Sequence, residues 1–219
     1  MKNVYVVTGL AGLLAAILVG IGEYLLHFDA LGRFSESSYD FMLGISDRRS
    51  TIGHFFGVIG ATLYLVGCYH IYLMLRPANQ QVAAIVCLLA GFGFVVGTVW
   101  IGSRASISAL TQLPPSETID HLVALYKTRY ETLLQIIRLT TLVLSVVIIW
   151  LSLTGRTHYP RWIAIFNPIV LIILNFVVFL TVPAIGKHTM PIALNVAFFV
   201  FFFFSILAAR KVSAGAHTA

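Results

Sequence analysis

Six apolar segments, each close to the roughly 20 residues that a helix needs to cross a bilayer, constrain this chain more than any other feature. They lie at 4–28, 51–75, 82–102, 133–153, 162–182 and 190–209. Hydrophobic residues make up 59% of the chain and charged residues only 10%, which excludes an ordinary soluble domain. The sequence therefore predicts an all-α, polytopic membrane protein with six transmembrane helices, in a single domain over residues 1–219.

The first segment is longer than the apolar core of a signal peptide and has no small-x-small cleavage site after it. We therefore expect it to remain as the first helix. Cys68 and Cys87 fall inside predicted helices, where cysteine ordinarily serves as a small buried residue. We infer neither a disulfide, nor a metal site, nor a cofactor from them.

The charges outside the membrane are divided unequally between the two sides of the predicted bundle. All eight acidic residues fall in the half of the chain that faces one side, where bases balance them. The side that holds both termini carries only bases, namely Lys2, Arg76, Arg156, Arg161, Arg210 and Lys211. The positive-inside rule then predicts cytoplasmic termini and extracytoplasmic loops at 29–50 and 103–119. Because the bases are dispersed, the sequence argues against nucleic-acid binding.

Both extracytoplasmic loops carry helix signals. Ser116 follows two prolines and predicts the N-cap of a helix over 117–154, which would be about 57 Å long and would project beyond the membrane. In the first loop we expect a short interfacial helix capped by Ser35. Its apolar side would consist of Phe34, Phe41, Met42 and Leu43.

Glu23 and Arg138 place opposite charges at a similar predicted depth, roughly 10 Å from the bilayer centre toward the extracytoplasmic side. An uncompensated charge in hydrocarbon costs several kcal/mol, so each residue should face the bundle interior and find a partner. We therefore expect an ion pair between Glu23 and Arg138. A buried pair that only fixes helix register is the alternative interpretation.

Further polar residues fall in the same outer half of the membrane. Glu131, Gln135 and Arg138 recur at helical spacing and predict an inward-facing stripe. Asn175 and Asn195 lie at similar depth in the fifth and sixth segments. The inner halves of the segments are almost wholly apolar, and His70 is interpreted as an interfacial residue. These positions predict a polar cup that opens to the extracytoplasmic side.

Histidines mark the rim of this cup. Glu23 and His27 are four residues apart, a spacing that can supply an acid and a base, or two metal ligands. His54, His121 and His188 lie at neighbouring helix ends, and the sequence does not show whether they converge. Interfacial residues that meet water are the alternative for all four, so we assign no metal site.

The leading hypothesis is that the cup binds a small amphipathic molecule or a membrane lipid and could catalyse acid/base chemistry on it. Glu23 and His27 would be the acid and base, and Arg138 would stabilise a developing negative charge. Gln135, Glu131, Asn175, Asn195 and His54 would contact the substrate. Two other classes remain open: a proton- or cation-coupled transporter that uses Glu23 and Arg138, and an assembly or sensory partner that uses its loops. The sequence predicts no oligomeric state.

Two stretches, GEYLLHF at the end of the first segment and DRRSTIGHFFGVIGATLYLVGCYHIYLML in the second, carry a resemblance. They resemble a bacterial family of six-helix integral membrane proteins of unknown function. The resemblance implies a location in the bacterial inner membrane and supplies no activity. In the second stretch, Gly53, Gly57 and Gly60 have the spacing of close helix contacts.

Overall fold

The helices account for nearly all of the structure. The computed structural model describes residues 3–31, 33 and 39–215. Within those residues the chain forms three short 3₁₀ helices (Asp40–Met42, Arg161–Ala164 and Met190–Ile192) and seven α-helices. The α-helices are α1 (Asn3–His27), α2 (Asp47–Leu75), α3 (Gln80–Thr111), α4 (Glu117–Leu153), α5 (Pro168–Thr181), α6 (Pro183–Thr189) and α7 (Ala193–Gly215). The predicted all-α class is confirmed.

Five helical stretches are long and apolar enough to cross a membrane, as in a multi-pass membrane protein. They are Val4–His27, Asp47–Leu75, Gln80–Thr111, Glu117–Leu153 and Pro183–Val212. The fifth predicted segment differs, because its α-helix α5 has only 14 residues, about 21 Å of helix. Pro168 stands at the start of α5 and Asn167 caps it by accepting a hydrogen bond from the Ile169 amide, so the preceding apolar residues form a 3₁₀ turn instead.

Two helices extend beyond their apolar segments on the side of the long connections. α4 has 37 residues, and the Ser116 hydroxyl accepts a hydrogen bond from the Ile119 amide at its start, as predicted. α3 continues to Thr111, so residues 103–111 of the predicted loop are helical. This extension matters for the site, because it carries Arg104 on a rigid helix.

α1 and α2 cross at a backbone contact between glycines. A Cβ at Gly22 would lie 2.6 Å from the Gly53 carbonyl oxygen and 2.7 Å from the Gly57 amide nitrogen. Gly60 likewise lies against α1, at Val19. Small residues let two helices approach closely enough for extensive van der Waals contact, which is the main attraction between helices in lipid. The glycine spacing in α2 thus predicted a real packing face.

α1 lies at the centre of the arrangement, between α2 and α7, while α3 packs on α2 and α4 packs on α3. α5 and α6 pack on each other, and α5 also packs on α7. Aromatic side chains fill the middle of the bundle, where Tyr64 of α2 contacts Phe198 and Phe202 of α7. All three rings are almost completely buried.

An ion pair between Arg33 and Asp29 stabilises the connection between α1 and α2. Arg33 donates two side-chain hydrogen bonds to the Asp29 carboxylate and holds the pKa of Asp29 at about 2, below its ordinary value. Phe34 and Ser35 of the predicted interfacial helix lie outside the described residues. Of the described part, Asp40–Met42 forms one 3₁₀ turn, and Phe41 and Met42 are buried against protein.

We predict that Gly22→Ala lowers the free energy of unfolding by about 1–3 kcal/mol, because the new methyl group meets backbone atoms that cannot move aside. Gly97→Ala is the matched control, since a Cβ there has nothing within 4 Å, and alanine favours helix over glycine. Thermal unfolding of the purified protein in detergent measures both. Equal melting temperatures for the two variants would refute the close crossing.

Candidate functional site

Glu23 of α1 is the centre of a buried polar network. Its side chain is only 4% exposed, and Asn195 of α7 donates a side-chain hydrogen bond to its Oε2 atom. The Tyr64 hydroxyl of α2 donates in turn to Asn195 Oδ1 at 2.8 Å. Three helices are therefore joined through one carboxylate, and Asn195, predicted at this depth, contacts it directly.

Arg104 of α3 provides the positive charge beside Glu23. Its Nη1 atom lies 3.6 Å from Glu23 Oε1, and its side chain is almost fully buried. The guanidinium lies over the Trp100 ring, 3.8 Å from the ring centroid, and Arg104 Nε donates to the Tyr130 hydroxyl at 3.3 Å. Stacking and hydrogen bonding together make a buried guanidinium tolerable at this position.

The predicted Glu23–Arg138 ion pair is wrong, because Arg138 is exposed and the carboxylate is paired with Arg104. Both residues line one cavity, but Glu23 lies at its buried end and Arg138 at its exposed edge. The buried seam of α4 runs through Tyr130, Ile137 and Thr141, and Arg138 is about 100° away from Ile137 on the helix. The predicted inward-facing stripe of Glu131, Gln135 and Arg138 is also wrong. Gln135 is exposed and Glu131 is half-buried, because these residues lie beside the buried seam of α4.

A cavity of about 320 Å³ opens beside this network. Its polar lining comes from Glu23, His27, Arg104, Tyr130, Arg138 and Thr141, and the rest is mostly apolar side chains of α4, α5 and α7. The exposed lining residues, Arg138 on α4 and Phe176 on α5, mark its mouth, whereas the buried Glu23 and Arg104 mark its closed end. A smaller apolar cavity of about 40 Å³ continues inward from Glu23.

The cavity combines one polar end with apolar walls. Two buried donors at the polar end, Trp100 Nε1 and Arg104 Nη1, have no hydrogen-bond acceptor within the described residues. Both residues line the cavity. A buried donor without an acceptor is costly by about 1–3 kcal/mol, so an oxygen of a bound molecule that accepts from either donor would be stabilised here.

Among the predicted rim histidines, only His27 lines the cavity. His27 is half-buried, lines the cavity, and packs on Phe41 with 4.5 Å between ring centroids. His54 packs against Phe55 and does not line the cavity. Asn175 is buried and does not line the cavity either. Its Nδ2 atom lies 3.9 Å from the sulfur of Met190, which does line the cavity.

His121 and His188 are both exposed, and His188 Nδ1 lies 2.8 Å from the Tyr24 hydroxyl. In the parts of the chain that the structure describes, no group of three His, Cys, Asp or Glu side chains could hold a metal ion. Within those residues, His27, His54, His121 and His188 therefore do not converge on a metal site.

A second buried network, which the sequence did not predict, lies near the N-terminus of α1 and the C-terminus of α7. His70 of α2 is fully buried, with Nε2 2.6 Å from Ser205 Oγ and Nδ1 3.3 Å from Thr8 Oγ1. Ser205 donates to the Tyr159 hydroxyl at 3.0 Å. The prediction that His70 is interfacial is wrong, because His70 is buried and contacts Ser205 and Thr8 of other helices. The same contacts show that the inner halves of the segments are not wholly apolar.

The chain belongs to a family of unknown function, DUF6796, whose model matches residues 1–212. No curated protein and no solved structure matches it. The resemblance to a bacterial six-helix family stays a prediction. Function must therefore be argued from the site itself.

We predict that Arg104→Gln lowers the free energy of unfolding by about 3–5 kcal/mol, because it leaves the Glu23 carboxylate buried without its counter-charge. Arg138→Gln, at an exposed position, should change it by less than about 0.5 kcal/mol. The double variant Glu23→Gln, Arg104→Gln should recover part of the loss. Thermal unfolding in detergent compares them, and equal destabilisation by the two arginine variants would contradict the assignment of Arg104 as the partner.

Proposed function

We propose that this protein binds a small amphipathic molecule, such as a membrane lipid, in the cavity between α4 and α5. In this proposal the chain crosses a bacterial inner membrane six times, with α5 as one crossing and both termini in the cytoplasm. The distribution of charge supports that orientation, because every acidic residue lies toward the opposite side from the termini. The polar end of the cavity then lies in the extracytoplasmic half of the membrane.

The single observation that carries the proposal lies at the closed end of the cavity, where Trp100 Nε1 has no hydrogen-bond acceptor among the described residues and Arg104 Nη1 has only its 3.6 Å ion-pair contact with Glu23. An oxygen of the ligand headgroup would accept a hydrogen bond from either donor. Buried polar groups are nearly always hydrogen-bonded, so a cavity in which neither donor has a hydrogen bond favours an occupied state. Glu23, held by Asn195, would accept from a hydroxyl or ammonium of the same headgroup.

The route into the cavity supports a lipid-like ligand. Its mouth is marked by Arg138 and Phe176, which belong to membrane-spanning helices. A molecule that entered between α4 and α5 would slide its apolar part along Ile172 and Leu134. Arg138 would attract an anionic or zwitterionic headgroup at the mouth, in place of the buried role predicted for it.

The same geometry could support chemistry on the bound molecule. Glu23 and His27 both line the cavity and remain the candidate acid and base. Arg104 takes the role expected of Arg138, because it is the buried cation that would stabilise a developing negative charge. Binding alone requires none of these steps.

A proton-coupled transporter is the second candidate, and the network around His70 favours it. Glu23 and His70 are buried titratable groups near opposite ends of the bundle. The ring of Phe202 lies between them, contacting both Tyr64 and His70. Tyr159 connects the inner network to a cavity at the end that holds the C-terminus of α7. A transporter needs titratable groups on both sides of a barrier, and this arrangement provides them.

For the binding proposal, we predict that Ile172→Trp reduces the amount of co-purified amphiphile at least about tenfold, because the larger side chain fills the cavity. Ile173→Trp is the control, since Ile173 is 59% exposed and does not line the cavity. Mass spectrometry of organic extracts from both purified variants provides the measurement. If both variants retain the same amphiphiles in the same amounts as the unmodified protein, the proposal fails.

For the transporter candidate, we predict that liposomes containing the protein take up protons along a pH gradient and that His70→Gln abolishes this uptake. Glutamine keeps hydrogen-bonding capacity but does not titrate. His158→Gln, which changes a half-buried histidine outside the His70 hydrogen bonds, should retain the uptake. A pH-sensitive dye enclosed in the liposomes reports the rate. Uptake no faster than in protein-free liposomes would contradict a proton path through His70 and leave the binding proposal intact.

A further inference from the structure

A second candidate lipid site lies at the other end of the bundle, where α7 meets the connection between α4 and α5. An apolar groove of about 590 Å³ runs there along Trp162, Phe166, Phe204 and Leu207, and it ends at Arg210 and Lys211. Phe166 and Phe204 are in ring contact, with centroids 4.0 Å apart, and Trp162 packs edge-on against both. The groove therefore has a rigid aromatic wall and a cationic end.

A second cavity of about 380 Å³ adjoins the cationic end and is lined by His158, Arg161 and Lys211 among others. Lys211 lines both spaces. Arg161 folds over Gly155, since a Cβ built there would lie 3.4 Å from Arg161 Nε. Gly155 has a φ of 71°, which makes the turn that brings the two together.

Within the part of the chain that the structure describes, no carboxylate lies within ion-pair distance of the cations at this end. All eight acidic residues of the sequence fall between Glu23 and Asp47 or between Glu117 and Glu131. The ion pairs between Arg33 and Asp29 and between Arg104 and Glu23 involve none of these cations. Exposed cations beside an apolar groove attract the anionic headgroups of a membrane.

We propose that this surface binds an anionic glycerophospholipid of the adjacent membrane leaflet. One acyl chain lies along the aromatic groove, and the phosphate contacts Arg210 and Lys211. The rest of the headgroup enters the polar cavity beside Arg161. The occupant needs a negative charge next to a long apolar chain, and an anionic phospholipid has both. This site is separate from the cavity beside Glu23 and does not depend on its ligand.

Native mass spectrometry of the full-length protein in detergent tests the proposal, with phosphatidylglycerol and phosphatidylcholine of the same acyl chains as probes. The unmodified protein should bind phosphatidylglycerol more tightly. The double variant Arg161→Gln, Lys211→Gln should weaken that binding about 25-fold, or about five-fold for each cation removed. The charge-preserving variant Arg161→Lys, Lys211→Arg should stay within about three-fold of the unmodified protein.

The matched control is Arg129→Gln, Lys187→Gln, which removes two exposed cations from the opposite end of the bundle. It should leave phosphatidylglycerol binding within about two-fold. If the glutamine variant of the site does not fold, the single change Lys211→Gln, at an exposed residue, should still give the five-fold loss. The proposal is overturned if the unmodified protein does not prefer phosphatidylglycerol, or if the control loses as much binding as the site variant.

Discussion

The buried carboxylate of Glu23 needs polar partners, and helices from most of the bundle supply them. A charge inside a low-dielectric interior needs a counter-charge and hydrogen bonds, and a single helix cannot supply both. Here α3 contributes Arg104, α7 contributes Asn195, and α2 reaches the network through Tyr64. α4 adds the Tyr130 hydroxyl, which accepts from Arg104. The register of these helices against α1 is thus tied to one side chain, and the cavity beside it takes its shape from the same contacts.

Local signals in the sequence were sufficient for the helices but not for the partners across them. Ser116 predicted the start of α4 because an N-cap acts within one turn. Arg104 was missed because a search for apolar runs stops at the first charge, while α3 continues to Thr111. Arg138 was chosen by depth alone, and depth does not determine which way a side chain faces around its helix. That angle depends on how α4 packs against its neighbours, which one sequence does not contain.

His70 is a second residue whose contacts across helices could not be predicted from its neighbours in the sequence. It lies in α2 near Tyr69 and Tyr72, which are partly exposed, and its neighbours therefore suggested an interfacial residue. Its contacts come from Thr8 and Ser205, which are 62 and 135 residues away along the chain. Short hydroxyl side chains in apolar segments are ordinarily satisfied by their own helix, so nothing local distinguishes those that bond across helices. The sequence therefore indicated the buried carboxylate at the centre of the candidate site, but not its cation or the second network.

In the six-crossing arrangement proposed above, the short length of α5 has a consequence for the lipid around the protein. Its 14 residues span about 21 Å, whereas the hydrocarbon core of a bilayer is about 30 Å thick. A bilayer that meets a short helix thins locally, and headgroups move toward the mid-plane to follow it. Because α5 forms one edge of the cavity mouth at Phe176, this hydrophobic mismatch would bring polar headgroups closer to Arg138 than they lie elsewhere around the protein. The membrane itself would then shorten the path of an amphipathic molecule into the bundle.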